Sequence, residues 1–214
     1  MILKCQYFMY IPKNYLTTDK SEIVAFMREY SFATLVTAKE ELPIGTHLPF
    51  LVETRGEDVV LVSHFARANR QWEDLEQSQV LVIFSEPHAY ISPRHYLQKL
   101  NVPTWNYFSV HAYGKGKLIT DTQEVFTVLE NTINTYEVEY RTQWDLLPTD
   151  YKHKMIKGIV AFEITIIDLQ AKKKLSQNKT VKEQEQIIEA LKDSELSTER
   201  AVAAYMRQNL KSSS

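Results

Sequence analysis

The strongest constraint on this chain is a series of short β-forming runs too closely spaced for crossover helices. SFATLVT (31–37), HLPFLVE (47–53), DVVLVSHF (58–65) and QVLVIFSE (79–86) are rich in β-branched and aromatic residues. The turn-like segments KEELPIG and TRGED separate the first three, which is hairpin spacing rather than the spacing of parallel βαβ units. Between the third and fourth, ARANRQWEDLEQS breaks the β pattern and predicts a two-turn helix with Trp72 and Leu75 inward. From Asn106 to Thr120 the chain alternates, with Phe108, Val110 and Ala112 on one face and Tyr107, Ser109, His111 and Tyr113 on the other. The first set reads as core. The second is half polar and faces something other than an oily interior. Gly114 and Gly116 lie on the core face and predict a bend, a bulge or the close approach of another backbone.

Helical periodicity fills the gaps. TTDKSEIVAFMREY carries Ile23, Phe26, Met27 and Tyr30 at helical spacing behind Asp19 and Glu22, a capping-box start. DTQEVFTVLENTINTYEVEY (121–140) predicts a helix capped by Asp121 or Thr122, with Val125, Val128, Leu129 and Ile133 as its stripe. A connector with Trp144, Leu146 and Leu147 follows, then a long final strand, GIVAFEITIIDLQ (158–170). VKEQEQIIEALKD and STERAVAAYMRQNL predict two helices joined near Ser194 to Ser197. At least six strands at hairpin spacing predict a mainly β, α+β chain: a small antiparallel barrel with helices around it. The expected division is a barrel domain over 1–175 and a helical segment over 176–214, packed on the barrel or on a partner.

Composition excludes some classes. The formal net charge of −2 over 214 residues is not the global footprint of a nucleic-acid binder. The single cysteine, Cys5, rules out an intrachain disulfide and a multi-cysteine metal site. No stretch approaches the roughly 20 apolar residues that span a bilayer, and the N-terminus lacks the pattern of a secretory signal. A soluble cytoplasmic protein without membrane contact is the expectation.

Three clusters could carry chemistry. In SHFARANRQW (63–72), Asn69 is a favourable helix cap, with Arg67 before it and Arg70 in the first turn; a helix N-terminus with an adjacent arginine suits an anion. An ordinary strand-to-helix junction with solvated arginines has the same sequence. In AKKKLSQNKT (171–180), Lys172, Lys173, Lys174 and Lys179 surround Ser176, Gln177 and Asn178. These residues could hold a phosphate or a nucleic-acid backbone, or form a solvated loop between strand and helix. In PHAYISPRHY and VPTWNY, Tyr90, Tyr96, Trp105 and Tyr107 suit a planar ligand, a subunit interface or a core. No catalytic constellation accompanies them. His47, His64, His88, His95, His111 and His153 form no helical i, i+4 pair, and no Walker, GxGxxG or GxSxG motif is present.

In this order THLPF (46–50), SHFARANRQW, AYISPRHY (89–96), VPTWNYFSVHAYG (102–114) and KLSQNK (174–179) resemble the PaiB family. Its members are bacterial negative transcriptional regulators built on an FMN-binding split barrel. The likeness begins at MYIPKNY (9–15) and runs to about Leu191, which makes residues 1–8 an extension of the family's usual start. The resemblance implies a homodimer with FMN sites at the subunit interface. His64, Arg67 and Asn69 would receive the FMN phosphate, and Thr46, His47 and Leu48 would run beside the isoalloxazine edge. Trp105, Asn106 and Tyr107 would lie at the seam and the pocket wall. Lys174, Ser176, Gln177, Asn178 and Lys179 would supply donors from the same or the opposite subunit. Lys179 and Glu183 stand where the family has Arg and Asp, and a lysine cannot make an arginine's bidentate fork.

The function implied is a dimeric repressor of degradative-enzyme and sporulation genes. The alternatives are a flavin-dependent oxidoreductase of the pyridoxamine-oxidase-like barrel class and a haem-binding split barrel. Direct DNA binding is poorly supported by net charge, and the last helix offers only Arg200, Arg207, Gln208 and Asn209.

Overall fold

The structure, a computed structural model, describes residues 9–98 and 100–212. The expected extension 1–8, with Cys5, lies outside the described residues. In chain order the elements are β1 (Leu16–Thr17), α1 (Lys20–Glu29), β2 (Phe32–Lys39), β3 (Leu42–Pro49), β4 (Leu51–Arg55), β5 (Asp58–Ala66), β6 (Gln79–Phe84), β7 (His88–Ile91), β8 (Thr104–Ile119), α2 (Thr122–Tyr136), α3 (Tyr140–Leu146), α4 (Thr149–Ile156), β9 (Ile159–Lys174), α5 (Val181–Leu191) and α6 (Ser197–Ser212). Short 3-10 helices stand at Lys13–Tyr15, Arg70–Asp74 and Pro93–His95. The strands form an antiparallel sheet of order β3-β2-β6-β8-β9-β5-β4, with β1 paired to β9 and β7 to β8. The chain divides into a larger unit, residues 20–84 and 111–169, and a smaller unit, residues up to 19 with 85–110 and 170 onward.

The larger unit is built on hairpins. β2 and β3 pair from Phe32↔Pro49 to Lys39↔Leu42, so Pro43, Ile44 and Gly45 belong to a strand and not to the expected KEELPIG turn. The turn is Glu40 and Glu41 alone, at φ 49° and 65°. A two-residue hairpin loop needs this left-handed pair to match the strand twist. HLPFLVE, expected as one strand, is two. It breaks at Phe50, which is 1% exposed and whose N–H donates to Ser31 O at 2.9 Å. Phe50 packs against Phe84 and Phe162, and Phe65 stacks on Phe162 with 4.8 Å between centroids. With Met27, Leu35, Leu61 and Ile164, these rings make a fully buried core.

Two further corrections fall in this unit. The expected two-turn helix after β5 is a 3-10 helix of five residues, with Leu75 buried and Trp72 only half-buried. The helix expected to reach residue 140 stops at Tyr136, and the connector is two short helices, α3 and α4. Trp144 organises this turn: it is 9% exposed and donates Nε1–H to Glu130 at 3.3 Å. At the helix start Asp121 accepts from the N–H of Gln123 and Glu124, as expected of a cap.

On β8, Phe108, Val110 and Ala112 are 1% exposed or less, as their spacing requires. A Cβ at Gly114 would fall 2.6 Å from Thr165 O, and one at Gly116 would fall 2.7 Å from Leu75 O. Close backbone approach is therefore the reason for both glycines.

In the smaller unit β9 continues through Lys174, beyond the expected end at Gln170. Lys172 Nζ donates to Tyr10 O at 3.1 Å, and Met9 N–H to Gln170 Oε1 at 2.7 Å. These bonds fix the arm that leads to β1. Helix α5 opens with a capping box between Thr180 and Glu183. Its Ile187, Ile188 and Leu191, with Val202, Ala203 and Met206 of α6, bury Ala89 and Ile91 of β7, Tyr96 and Leu175.

Candidate functional site

In the larger unit the segment after β5 is tied to the β2–β3 hairpin. Asn69 Oδ1 accepts from Gln71 N–H at 3.1 Å, and Asn69 Nδ2 donates to Thr46 Oγ1 at 2.9 Å. Thr46 Oγ1 donates in turn to Gln71 Oε1 at 2.6 Å. Gln71 is 3% exposed and sends Nε2–H to Thr37 Oγ1 at 3.1 Å and Ile44 O at 2.9 Å. Every polar atom of this amide is thus satisfied, as burial demands. The signal that would have identified Gln71 is absent from the local sequence, because its partners lie on two other strands.

Arg67 lies on the surface and donates Nε–H to Lys157 O at 2.7 Å and an Nη2–H to Ile159 O at 2.8 Å. Its own N–H donates to Gly158 O at 2.8 Å. It borders a cleft of about 300 Å³ with Trp72, Thr120, Ile156 and Lys157. Arg70 pairs with Glu73 at 2.9 Å. These engagements, and a 3-10 helix of only five residues, leave little of the helix-terminus anion site that the sequence suggested. His64 is half-buried, and burial pushes its imidazole below the ordinary range, towards the neutral form. Thr46 and Leu48 are half-buried, whereas His47 is exposed and stacks on Phe32. The pleat sends His47 to the opposite face from its two neighbours, so these three residues do not share a wall.

In the smaller unit the loop after β9 is organised differently. Gln177 closes it from within, accepting from Leu175 N–H at 2.6 Å and donating to Lys173 O at 2.5 Å. Ser176 sits at φ 61°, where a residue with a Cβ is strained. Its hydroxyl and the amide of Asn106 exchange hydrogen bonds at 3.0 and 3.1 Å. Asn106 is fully buried and also donates to Met206 Sδ at 3.4 Å. Trp105 is 52% exposed, with His88 and Tyr90 edge-on at 5.6 and 6.0 Å.

Lys174 donates Nζ–H to Thr104 Oγ1, and to Trp105 O at 2.8 Å. Burial, then the charge of Lys172, pushes its amine below the ordinary lysine range. Lys179 donates to Asn101 Oδ1 at 2.7 Å and lies 4.0 Å above the Tyr96 ring. Lys174, Ser176, Asn178 and Lys179 border one pocket with Tyr15 and Tyr96. The sequence gives no sign of Tyr15, and it presents Tyr96 as a flat apolar surface with a polar tip. Among the described residues no group of His, Cys, Asp and Glu could hold a metal ion, and no helix is long and apolar enough to cross a membrane.

This antiparallel sheet with surrounding helices is the flavin-type split barrel. The same fold occurs in the flavocytochrome Anf3 of Azotobacter vinelandii, with a TM-score of 0.56 at 19% identity over 75% of this chain and 69% of that one. It also occurs in the FAD and heme binding protein of Mycobacterium smegmatis, with a TM-score of 0.59 at 14% identity over 75% and 73%.

Residues 9–168 match the family described as "Putative FMN-binding domain". The chain is 39% identical over 207 residues to the "Protease synthase and sporulation protein PAI 2" of Bacillus subtilis, covering 95% of this chain and 99% of the relative. It is 26% identical over 243 residues to the "Uncharacterized protein AN0679" of Emericella nidulans, covering 94% and 97%. The chain belongs to the PaiB family of FMN-binding-domain proteins. The donor set suits that cofactor unevenly. The pocket at Lys174 and Lys179 has two cations and no acidic residue on its lining, as a phosphate requires. Arg67 is already engaged by two carbonyls.

Proposed function

We propose that this chain is a homodimeric, flavin-binding regulator of the PaiB type. It lowers expression of degradative-enzyme and sporulation genes without reading DNA itself. The observation that carries this reading is the near full-length likeness to the B. subtilis PAI 2 protein, at 39% identity over 95% of the chain. The residues proposed to contact flavin form two sets. Thr46, His64 and Asn69 belong to the larger unit; Trp105, Lys174, Ser176, Asn178 and Lys179 belong to the smaller. When bound, FMN would supply redox-active chemistry, which needs no nucleophile from the protein. The homodimer draws support from β3, which ends the sheet order and holds no buried residue. Beside it Phe32 is 67% exposed, an unusual place for a large apolar ring unless a partner covers it.

The indirect mode of regulation rests on α6. Its Val202, Ala203 and Met206 are buried. Arg200 donates to Ser194 O and Glu195 O, and Arg207 faces Glu189 at 3.8 Å. A recognition helix instead presents several basic or amide side chains to the groove.

The test is a visible spectrum of the purified protein before and after adding FMN, with sedimentation to give the subunit number. Flavin bands that persist through desalting, on a dimer, are expected. A colourless protein that leaves FMN unbound would overturn the cofactor reading. A gel shift selective for specific over random DNA at physiological salt would overturn the indirect one.

A further inference from the structure

The pocket in the smaller unit has about 170 Å³, well under the roughly 300 Å³ at which pockets begin to enclose whole cofactor-sized ligands. A whole flavin does not fit inside it, but a single anionic group does. Tyr96 is 8% exposed, and its hydroxyl is buried with no hydrogen-bond partner among the described residues. Buried hydroxyls are normally bonded, whereas this one, on a residue that lines the pocket, has no partner among the described residues. Lys179, above the Tyr96 ring, lines the same pocket, as does Lys174, two of whose three N–H groups serve Thr104 and Trp105. The nearby Glu183 carboxylate is occupied by the N–H groups of Thr180 and Leu97 and by the Thr180 hydroxyl.

We propose that this pocket binds a phosphate-type oxyanion, held by Lys174, Lys179 and the hydroxyl of Tyr96. Two sources share that chemistry: the terminal phosphate of FMN and a free small phosphate. The first rests on the flavin reading given above; the second is independent of it. An anion here would also offset the burial that depresses the Lys174 amine.

The test titrates the full-length protein and its Tyr96→Phe and Lys174→Met variants calorimetrically with inorganic phosphate, FMN and riboflavin. Tyr96→Phe removes one oxygen and keeps the ring, and circular dichroism verifies that both variants remain folded. Phosphate should bind the wild type, weaken roughly tenfold in Tyr96→Phe, and weaken further in Lys174→Met, where a charged donor is lost. If Tyr96→Phe also weakens FMN but leaves riboflavin unchanged, the oxyanion is the flavin's phosphate. If it weakens inorganic phosphate and leaves FMN unchanged, the source is a free phosphate. Flavin failing to bind while phosphate still depends on Tyr96 would overturn the flavin reading alone. Folded wild type that ignores phosphate, with FMN affinity unmoved by Tyr96→Phe, would overturn the oxyanion site.

Discussion

After β5 the chain offers Arg67, Asn69, Arg70 and Gln71; from the last residue of β9 onward it offers Lys174, Ser176, Gln177, Asn178 and Lys179. Both sets stand at the end of a strand and mix cations with amides. After β5, Arg67 is held by the carbonyls of the α4–β9 turn, Gln71 by β2 and β3, and Asn69 by Thr46 and Gln71. After β9, Gln177 satisfies the loop's own backbone, and both lysines reach the pocket lining. The difference is one of degree: Arg67 gives its guanidinium to two carbonyls, whereas Lys174, in the loop proposed here to bind a ligand, keeps one of its three N–H groups uncommitted to Thr104 and Trp105. Helix ends compete hardest, because their last carbonyls lack intrahelical partners.

The largest effect should come from Gln71→Ala. It leaves Thr37 and the Ile44 carbonyl without this amide in a site only 3% exposed, at a cost of about 3 kcal/mol by urea denaturation. Asn178→Ala, at an exposed position of the second loop, should stay within about 0.5 kcal/mol. Equal costs would break the contrast between a structural loop and the proposed binding loop. Next comes Ser176→Ala, which keeps the left-handed backbone but removes the partner of the buried Asn106 amide. A loss of about 2 kcal/mol is expected. Ser176→Gly loses the same bond but relieves the positive φ, and should be milder by about 0.5–1 kcal/mol. If glycine is the worse of the two, strain at Ser176 is not part of the loop's energetics.

Much of the barrel was legible because its signals are local. Val59 to Val62, the Phe108, Val110 and Ala112 face, and the paired glycines declare strand, core and close approach within a few residues. The Glu40–Glu41 turn was not legible, since neither residue prefers φ > 0 and the pairing of β2 with β3 imposes it. Nor were α3 and α4, whose inward Trp144 depends on Glu130 of α2. The site was harder still. Sequence displays the donors of Arg67, but its acceptors lie 90 and 92 residues further on. Tyr96 could be read as an aromatic, yet nothing in SPRHY shows that its hydroxyl lacks a partner.

Arg67→Ala is a smaller and sharper test. Its guanidinium is exposed, so losing the bonds to Lys157 O and Ile159 O should cost about 1 kcal/mol. FMN affinity should fall less than it does in Lys174→Met. An Arg67→Ala protein that keeps its stability and loses FMN would reverse the assignment of the two loops.

The smallest effects separate the loops by pH. Burial lowers both His64, before the first loop, and Lys174, at the second, so the folded state binds each proton less readily than the unfolded chain. Between the folded and unfolded values the unfolded chain holds more protons, and stability rises with pH. For His64 this predicts stability lost as pH falls below the ordinary histidine value of about 6.5. For Lys174 it predicts a cost that shrinks as pH climbs towards the ordinary lysine value of about 10.4. His64→Gln should flatten the acid side of the stability profile and leave the alkaline side alone, and Lys174→Met should do the reverse. Saturating inorganic phosphate should imitate Lys174→Met on the alkaline side, because an anion restores the ammonium's preference for the folded state. Phosphate that flattens the acid side instead would move the anion to the loop after β5.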